Sequence, residues 1–309
     1  MQLTSEQTEP HADISILTEL WEVAIPAPLY TLFDYKIPIN DNQRLQAGMR
    51  VRVPFGKQSK IGYLVQSIAS SIHGDKLKQA ECVLDETPLW GEPLWQCMLW
   101  ASRYYLYPLG EICESGLPKA VRDGKPAPKN LPSSSSVPET PWAIQPSTIQ
   151  LNQEQHAAVE ALTAPSGFRV SLLQGVTGSG KTEVYLHTLA KVLENGGQAL
   201  VLIPEIALSG QLTAAFAARF SHVTCYHSQR TDKERYAVWS GCRDGTIRLV
   251  IGTRSSLFLP FHNLSMIIVD EEHDTLYKQQ DGFKYGARDL ATKRAQLEGC
   301  PIVLGTATD

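Results

Sequence analysis

Leu172-Leu173-Gln174-Gly175-Val176-Thr177-Gly178-Ser179-Gly180-Lys181-Thr182 runs from a short apolar segment into a helical pattern. In that context the G-x-x-x-x-G-K-T spacing predicts a phosphate-binding loop between a buried strand and a helix. Glycines let the backbone wrap an anion. The N–H groups of Gly175, Thr177, Gly178, Ser179 and Gly180 can then form a nest. The positive end of the following helix adds to it. Lys181 is placed to reach the β- and γ-phosphates, and the Thr182 hydroxyl to bind Mg²⁺. The alternative is a glycine-rich turn with a chance lysine, and the flanking strand and helix argue against it. The expected ligands are ATP and Mg²⁺.

Around this loop the chain reads as α/β. Apolar runs at residues 170–173, 199–203, 247–251, 266–269 and 302–304 alternate with helices beginning near Asn152, Lys181, Ile206, Asp232 and Ala287. Unalternating Val/Ile/Leu runs suit a parallel sheet covered on both faces. Residues 266–269 lead directly into Asp270-Glu271-Glu272-His273. Carboxylates at the tip of a buried strand are costly unless they serve a charged partner. Beside a phosphate loop that partner is the magnesium nucleotide. Asp270 is expected to hold Mg²⁺, Glu271 to orient and deprotonate the attacking water, and His273 to couple nucleotide state to a neighbouring segment.

The N-terminal part differs. Short alternating runs at residues 21–25, 31–37, 49–55, 61–68 and 80–84 read as strands, and residues 92–107 as a helix rich in Trp and Tyr. This predicts a small β-rich module at residues 20–118 with a helix packed on it. Residues 1–19 form a polar extension. Residues 119–147, rich in Pro and carrying the run Ser133–Ser136, read as a flexible linker before an ATP-binding lobe at 148–309. The 309 residues carry a net charge of −4, so the whole chain is not a basic nucleic-acid binder. Charge is uneven, however. Lys36, Arg44, Arg50, Arg52, Lys57 and Lys60 face only Asp34 and Asp41 between residues 34 and 62. That is either a phosphate-facing patch or a solvated strand surface. The six cysteines show no C-x-x-C pair, so no zinc is expected. Neither a signal peptide nor a membrane-length apolar run is visible, which points to a cytoplasmic protein without membrane contacts.

G-x-x-x-x-G-K-T followed by D-E-E-H resembles superfamily-2 helicases of the DEAH/DExH type. Further segments narrow the likeness: Pro204-Glu205-Ile206-Ala207-Leu208, Gly252-Thr253-Arg254-Ser255-Ser256-Leu257-Phe258, Tyr277-Lys278-Gln279-Gln280-Asp281-Gly282-Phe283-Lys284-Tyr285 and Gly305-Thr306-Ala307-Thr308. In wording and order they resemble the bacterial replication-restart helicases, the primosomal protein N′ (PriA) family. Leu32-Phe33-Asp34-Tyr35 and the run from Arg50 to Lys57 are similar to that family's 3′-end-binding domain.

The resemblance implies a β-rich 3′-end DNA-binding domain followed by a RecA-like P-loop lobe. It implies a bacterial ATP-dependent 3′→5′ DNA helicase that recognises forks and starts primosome assembly. Phe33 and Tyr35 would contact the terminal nucleotide, and Asp34 would accept from its 3′-hydroxyl. Gly56 and Lys57 would lie at the same pocket, and Lys78 would face a phosphate. Arg254, Lys284 and Tyr285 would meet single-stranded DNA. The loop at 277–285 would transmit DNA binding to the ATP site. Gln155 would read adenine or else be a solvated helix residue. Implied partners are forked and single-stranded DNA with a 3′ end, single-strand-binding protein and primosome proteins.

The family pattern also contains a second helicase lobe with an arginine finger, a zinc module and a winged-helix domain, none of which this sequence matches. The expectation is a truncated form that binds ATP and forks but hydrolyses ATP poorly. The alternatives are a non-hydrolysing fork-end module and a general superfamily-2 translocase.

Overall fold

Met49-Arg50-Val51-Arg52-Val53 sets the pattern of the N-terminal sheet. Strand β3 (Arg50–Phe55) buries Val51 and Val53 and turns both arginines to the other face. It belongs with β1 (Leu17–Ala24), β2 (Phe33–Ile39), β4 (Gln58–Ser67), β5 (Lys78–Gln79) and β6 (Cys82–Val83), in the order β5-β2-β1-β4-β3-β6. Pairing is antiparallel except between β2 and β5. The strand expected at residues 80–84 is instead the pair β5 and β6 at opposite edges. From Gln79 to Cys82 the chain takes three steps, at most roughly 10 Å when extended, so the sheet must curl until its edges nearly meet. Its interior holds Trp21, Val23, Tyr35, Ile37, Met49, Val51, Val53 and Leu64. This computed structural model describes residues 17–40, 43–125, 142–164, 167–176, 178–205 and 210–307. Thr177, residues 206–208 and Thr308 therefore lie outside the described residues.

Arg50 was counted in the basic patch, but it points inward. Its guanidinium holds Asp85 (2.6 Å) and also donates to the Val121 carbonyl. Val121 sits in α3 (Lys119–Arg122), which follows α1 (Glu92–Tyr104) and α2 (Leu109–Ser115). The expected linker is thus packed at its start, because a buried Val121 and the Arg50 donor hold that turn. It is also packed near its end. Trp142 stacks on Phe220 and Ile144 bridges to the same residue.

The second half builds a six-stranded parallel sheet. Its elements are α4 (Gln153–Thr163), β7 (Arg169–Gln174), α5 (Lys181–Glu194), β8 (Gln198–Leu202), α6 (Gln211–Arg219), β9 (Thr224–Tyr226), α7 (Asp232–Asp244), β10 (Leu249–Gly252), β11 (Leu264–Val269), α8 (Ala287–Glu298) and β12 (Pro301–Thr306). The strand order is β7-β12-β11-β8-β10-β9. Side chains alternate between two cores. Ala199, Val201, Ile203, Met266 and Ile268 pack with α4, α5 and α6. Leu200, Leu202, Ile267 and Val269 face the other way, toward α7 and α8, in a core that also takes in α1, α2 and α3. The N-terminal helices therefore cover the parallel sheet rather than serving the β-rich module alone. At the seam Gly116 lies so close to Phe258 that a methyl group would overlap the Phe258 Cβ.

Arg294 of α8 fastens this core. It is 0% exposed, donates to the carbonyls of Leu257 and Leu259 and pairs with Glu298 at 3.4 Å. The two carbonyls belong to, or directly follow, a short 3₁₀ helix, Arg254–Phe258. Removing the guanidinium leaves buried acceptors and Glu298 without their donor. Arg294→Met is expected to destabilise the chain by about 3–5 kcal/mol, measurable by urea unfolding.

Candidate functional site

Strand order decides what meets at the carboxyl edge. β12 lies between β7 and β11, so the D-E-E-H segment is one strand removed from the phosphate loop rather than directly beside it. The end of β12 bridges the gap. Gly175 N–H donates to Thr306 O (3.2 Å), Glu272 N–H donates to Gly305 O (2.8 Å), and His273 Nδ1 lies 3.2 Å from Thr306 Oγ1. His273 Nε2 is 3.8 Å from Glu271 Oε2.

The loop has the geometry that its glycines allow. Gly178 and Gly180 both have φ of +82°, and Gly180 caps α5 in the left-handed conformation. Lys181 Nζ donates to Gly175 O (2.8 Å) across the loop and stands 3.9 Å from Glu271 Oε1. Ser179 N–H is taken by Val176 O. Thr182 begins the helix half-buried. Gln155 caps α4 reciprocally with Asn152, and its amide also donates to Ser179 O (2.9 Å). It thus braces the phosphate loop from outside, with both ends of its amide engaged.

Asp270 is only 9% exposed, and burial, the largest effect, raises its carboxyl above the usual range. Tyr185 Oη donates to its Oδ1 at 2.9 Å. Tyr277 Oη donates to the main-chain carbonyls of Asp270 (2.6 Å) and Leu202 (3.0 Å). Glu271 has φ of +47°, a conformation seldom adopted by a residue with a side chain. Glu272 pairs with Arg288 at 2.9 Å. The residues suit a magnesium nucleotide: the Lys181 ammonium stands beside Glu271 and acts on the buried Asp270 carboxylate, whose Oδ1 is already held by a tyrosine. Tyr185 was missed from sequence, and Gly305 was read only as part of the G-T-A-T segment, without its approach to Tyr185. The available signal was spacing, since Tyr185 falls one helical turn after Lys181.

The second cluster lies on the β-rich module. Phe33, Asp34, Tyr35, Pro54, Phe55, Gly56, His73, Lys76, Leu77 and Lys78 line a pocket of about 260 Å³. Phe33 and Phe55 meet edge to face at 5.2 Å. Asp34 Oδ2 accepts from the Ser71 hydroxyl at 2.5 Å. Gly56 has φ of +62°, and a Cβ there would meet nothing within 4 Å. Lys78 is exposed beside Tyr35 on the neighbouring strand. Tyr35 itself is buried, with its hydroxyl on Pro54 O (3.0 Å), so it floors the pocket and presents no free ring face. Lys57 is exposed in the β3–β4 turn, outside the lining.

The expected strand-tracking residues separate in the same way. Arg254 donates to Lys278 O (2.8 Å), joining the G-T-R-S segment to the aromatic loop. Lys284 is exposed. Tyr285 is buried, stacked on Phe283 at 4.8 Å and edge-on to Phe258.

Gly305→Ala places a methyl group on the Tyr185 hydroxyl. It is expected to destabilise the chain by about 1–3 kcal/mol. The penalty should shrink when Tyr185 is also changed to Phe, because the overlapping atom is gone. A double-mutant cycle by thermal unfolding measures this.

Residues 22–118 match the PriA 3′ DNA-binding domain family, and residues 152–308 match the DEAD/DEAH box helicase family. The chain is 37% identical to the replication restart protein PriA of Haemophilus influenzae over 93% of its own length and 48% of that protein's. For Rickettsia felis PriA the values are 36%, 93% and 42%. Against Bacillus subtilis PriA, identity is 48% over 52% of this chain and 20% of that protein. The chain spans about half the length, or less, of the curated relatives it matches. The Haemophilus alignment runs over 356 residues and the Rickettsia one over 291 for the same 93% of this chain. The Haemophilus protein therefore carries additional residues inside the matched span. Among the described residues no helix is long and apolar enough to cross a membrane.

Proposed function

The chain belongs to the DEAD/DEAH box helicases, with a PriA-type 3′ DNA-binding domain ahead of the helicase domain, and from that premise we propose that it works in replication restart as the fork-recognising part of an ATP-dependent 3′→5′ DNA helicase. Lys181 and the loop amides bind the phosphates of ATP. Thr182 and Asp270 would hold the nucleotide's Mg²⁺, which would supply positive charge against the phosphates. Glu271 orients the attacking water, and His273 ties that glutamate to Thr306 at the end of β12.

The observation that carries the fork reading is Asp34. A carboxylate in a pocket walled by Phe33 and Phe55 accepts a hydroxyl at 2.5 Å, with Lys76 and Lys78 at the rim. An aspartate accepts from a 3′-hydroxyl and repels a 3′-phosphate. Aromatic walls accept any base. Tyr35 supports the pocket from below, and Lys78 neutralises a backbone phosphate. The expected end users of the fork, single-strand-binding protein and primosome components, belong to this proposal as partners.

The test is fork binding by the 309-residue chain. A 3′-hydroxyl on the fork arm is expected to bind about 10- to 100-fold more tightly than a 3′-phosphate, the worth of one hydrogen bond to a charged group. Asp34→Ala should erase that preference and Lys181→Ala should leave it intact. Equal affinities for the two ends in the unaltered chain would sink the assignment.

A further inference from the structure

The turn after α1 holds a residue in an unfavourable conformation. Leu106 has φ of +50°, and its side chain is 70% exposed. A bulky residue held there is an outlier that the surroundings must impose, and such outliers gather at functional sites. The surroundings do impose it. Tyr107 N–H donates to Ser102 O, and the Ser102 hydroxyl returns a bond to Tyr107 O at 2.7 Å. The hydrogen bonds close the turn and hold the leucine outward.

Tyr104, 59% exposed, lies flat on Trp100 at 4.6 Å, which fixes its plane. Tyr30, 67% exposed, comes from the β1–β2 loop. Burial, then Glu111 and last Tyr30 push the Tyr107 hydroxyl up to about 12. Tyr107 packs in turn on Phe283 at 5.2 Å. Cations are interleaved. Arg103 and Lys284 are exposed, and Lys293 lies 5.8 Å from the Trp100 ring. The nearby acids are engaged: Glu111 by Tyr107 and Asp289 by Arg288. Tyr30 is three residues before Phe33 of the 3′-end pocket, roughly 10 Å of extended chain.

We propose that Tyr30, Tyr104 and Leu106 form a stacking platform for unpaired bases of single-stranded DNA at the fork, lying between the 3′-end pocket and the helicase lobe. Preordered aromatic faces among cations suit single-stranded nucleic acid, because every base has a π-face and every nucleotide a phosphate. Leu106 wedges beside the rings, where an apolar side chain can cover a base edge. The proposal rests on the DNA-helicase reading and extends it to a contact outside both the pocket and the ATP site.

The test titrates the 309-residue chain with a fluorescent twenty-nucleotide oligo-dT and, separately, with forks bearing a 3′-hydroxyl or a 3′-phosphate. Tyr30→Ala and Tyr104→Ala are each expected to weaken oligo-dT binding roughly 5- to 150-fold. Leu106→Gly relieves the backbone outlier, so its melting temperature should not fall while oligo-dT binding still weakens. All three variants should keep the preference for a 3′-hydroxyl, which separates this contact from the pocket assignment. Iodouracil in the oligonucleotide should crosslink to Tyr104 or Tyr30. Unchanged oligo-dT affinity in the Tyr104→Ala/Leu106→Gly double variant would overturn the proposal. So would a chain that binds no oligo-dT, or a dimer that Tyr104→Ala disperses.

Discussion

Two main-chain hydrogen bonds at the end of β12 hold the nucleotide site together. Gly175 N–H reaches Thr306 O and Glu272 N–H reaches Gly305 O. Without them the phosphate loop and the D-E-E-H segment would be separate loops on strands that do not touch. Backbone bonds suit this task because they fix relative height as well as distance, and a buried amide left unpaired is costly. The same two residues impose side-chain requirements. Gly305 must lack a Cβ for Tyr185 to reach Asp270, and Thr306 supplies the hydroxyl beside His273. A change at the end of β12 therefore acts on the loop, the Asp270 carboxylate and His273 together.

The second organising constraint is the seam between the halves. A parallel sheet needs both faces covered, and here α1, α2 and α3 complete the cover that α7 and α8 begin. Phe283 and Tyr285 from the loop after D-E-E-H insert at that seam. Phe283 lies 5.7 Å from Tyr105 and 5.2 Å from Tyr107, and the Tyr105 hydroxyl meets both the N–H and carbonyl of Gly286. The 3′-end module and the ATP-binding lobe thus share one apolar core, unlike two beads on a string.

Local structure was legible in the sequence, and non-local adjacency was not. The parallel α/β class followed from unalternating apolar runs, and the strand, loop and helix around Lys181 from the glycine spacing. The helix starts at Lys181, Asp232 and Ala287 fell where expected, since caps and glycines are local signals. Strand β9 went unseen because three residues carry too little periodicity. The insertion of β12 between β7 and β11 has no local signature, so the roles of Tyr185 and Gly305 were hidden with it. Burial was hidden for the same reason. Tyr35 and Tyr285 look like any other loop or strand aromatic until the sheet and seam that enclose them are known. Arg50 looked like a surface cation until Asp85 and Val121 arrived from distant parts of the chain.

The aromatic loop illustrates how packing constrains mechanism. Direct contact between Tyr285 and DNA requires the ring to leave a core shared with Phe258 and Phe283, which costs about 1.5–3 kcal/mol for a side chain of that size. Tyr277 adds to the resistance, because its hydroxyl bonds the carbonyls at the ends of β8 and β11. Arg254 pins Lys278 from the other side. A loop tied at Leu202, Asp270 and Arg254 moves with the strand ends rather than apart from them. On the proposed reading, its exposed member, Lys284, can meet a phosphate without disturbing those bonds, and coupling between DNA and nucleotide needs no large opening, only a small shift of a braced loop that is hydrogen-bonded to the main chain of Asp270.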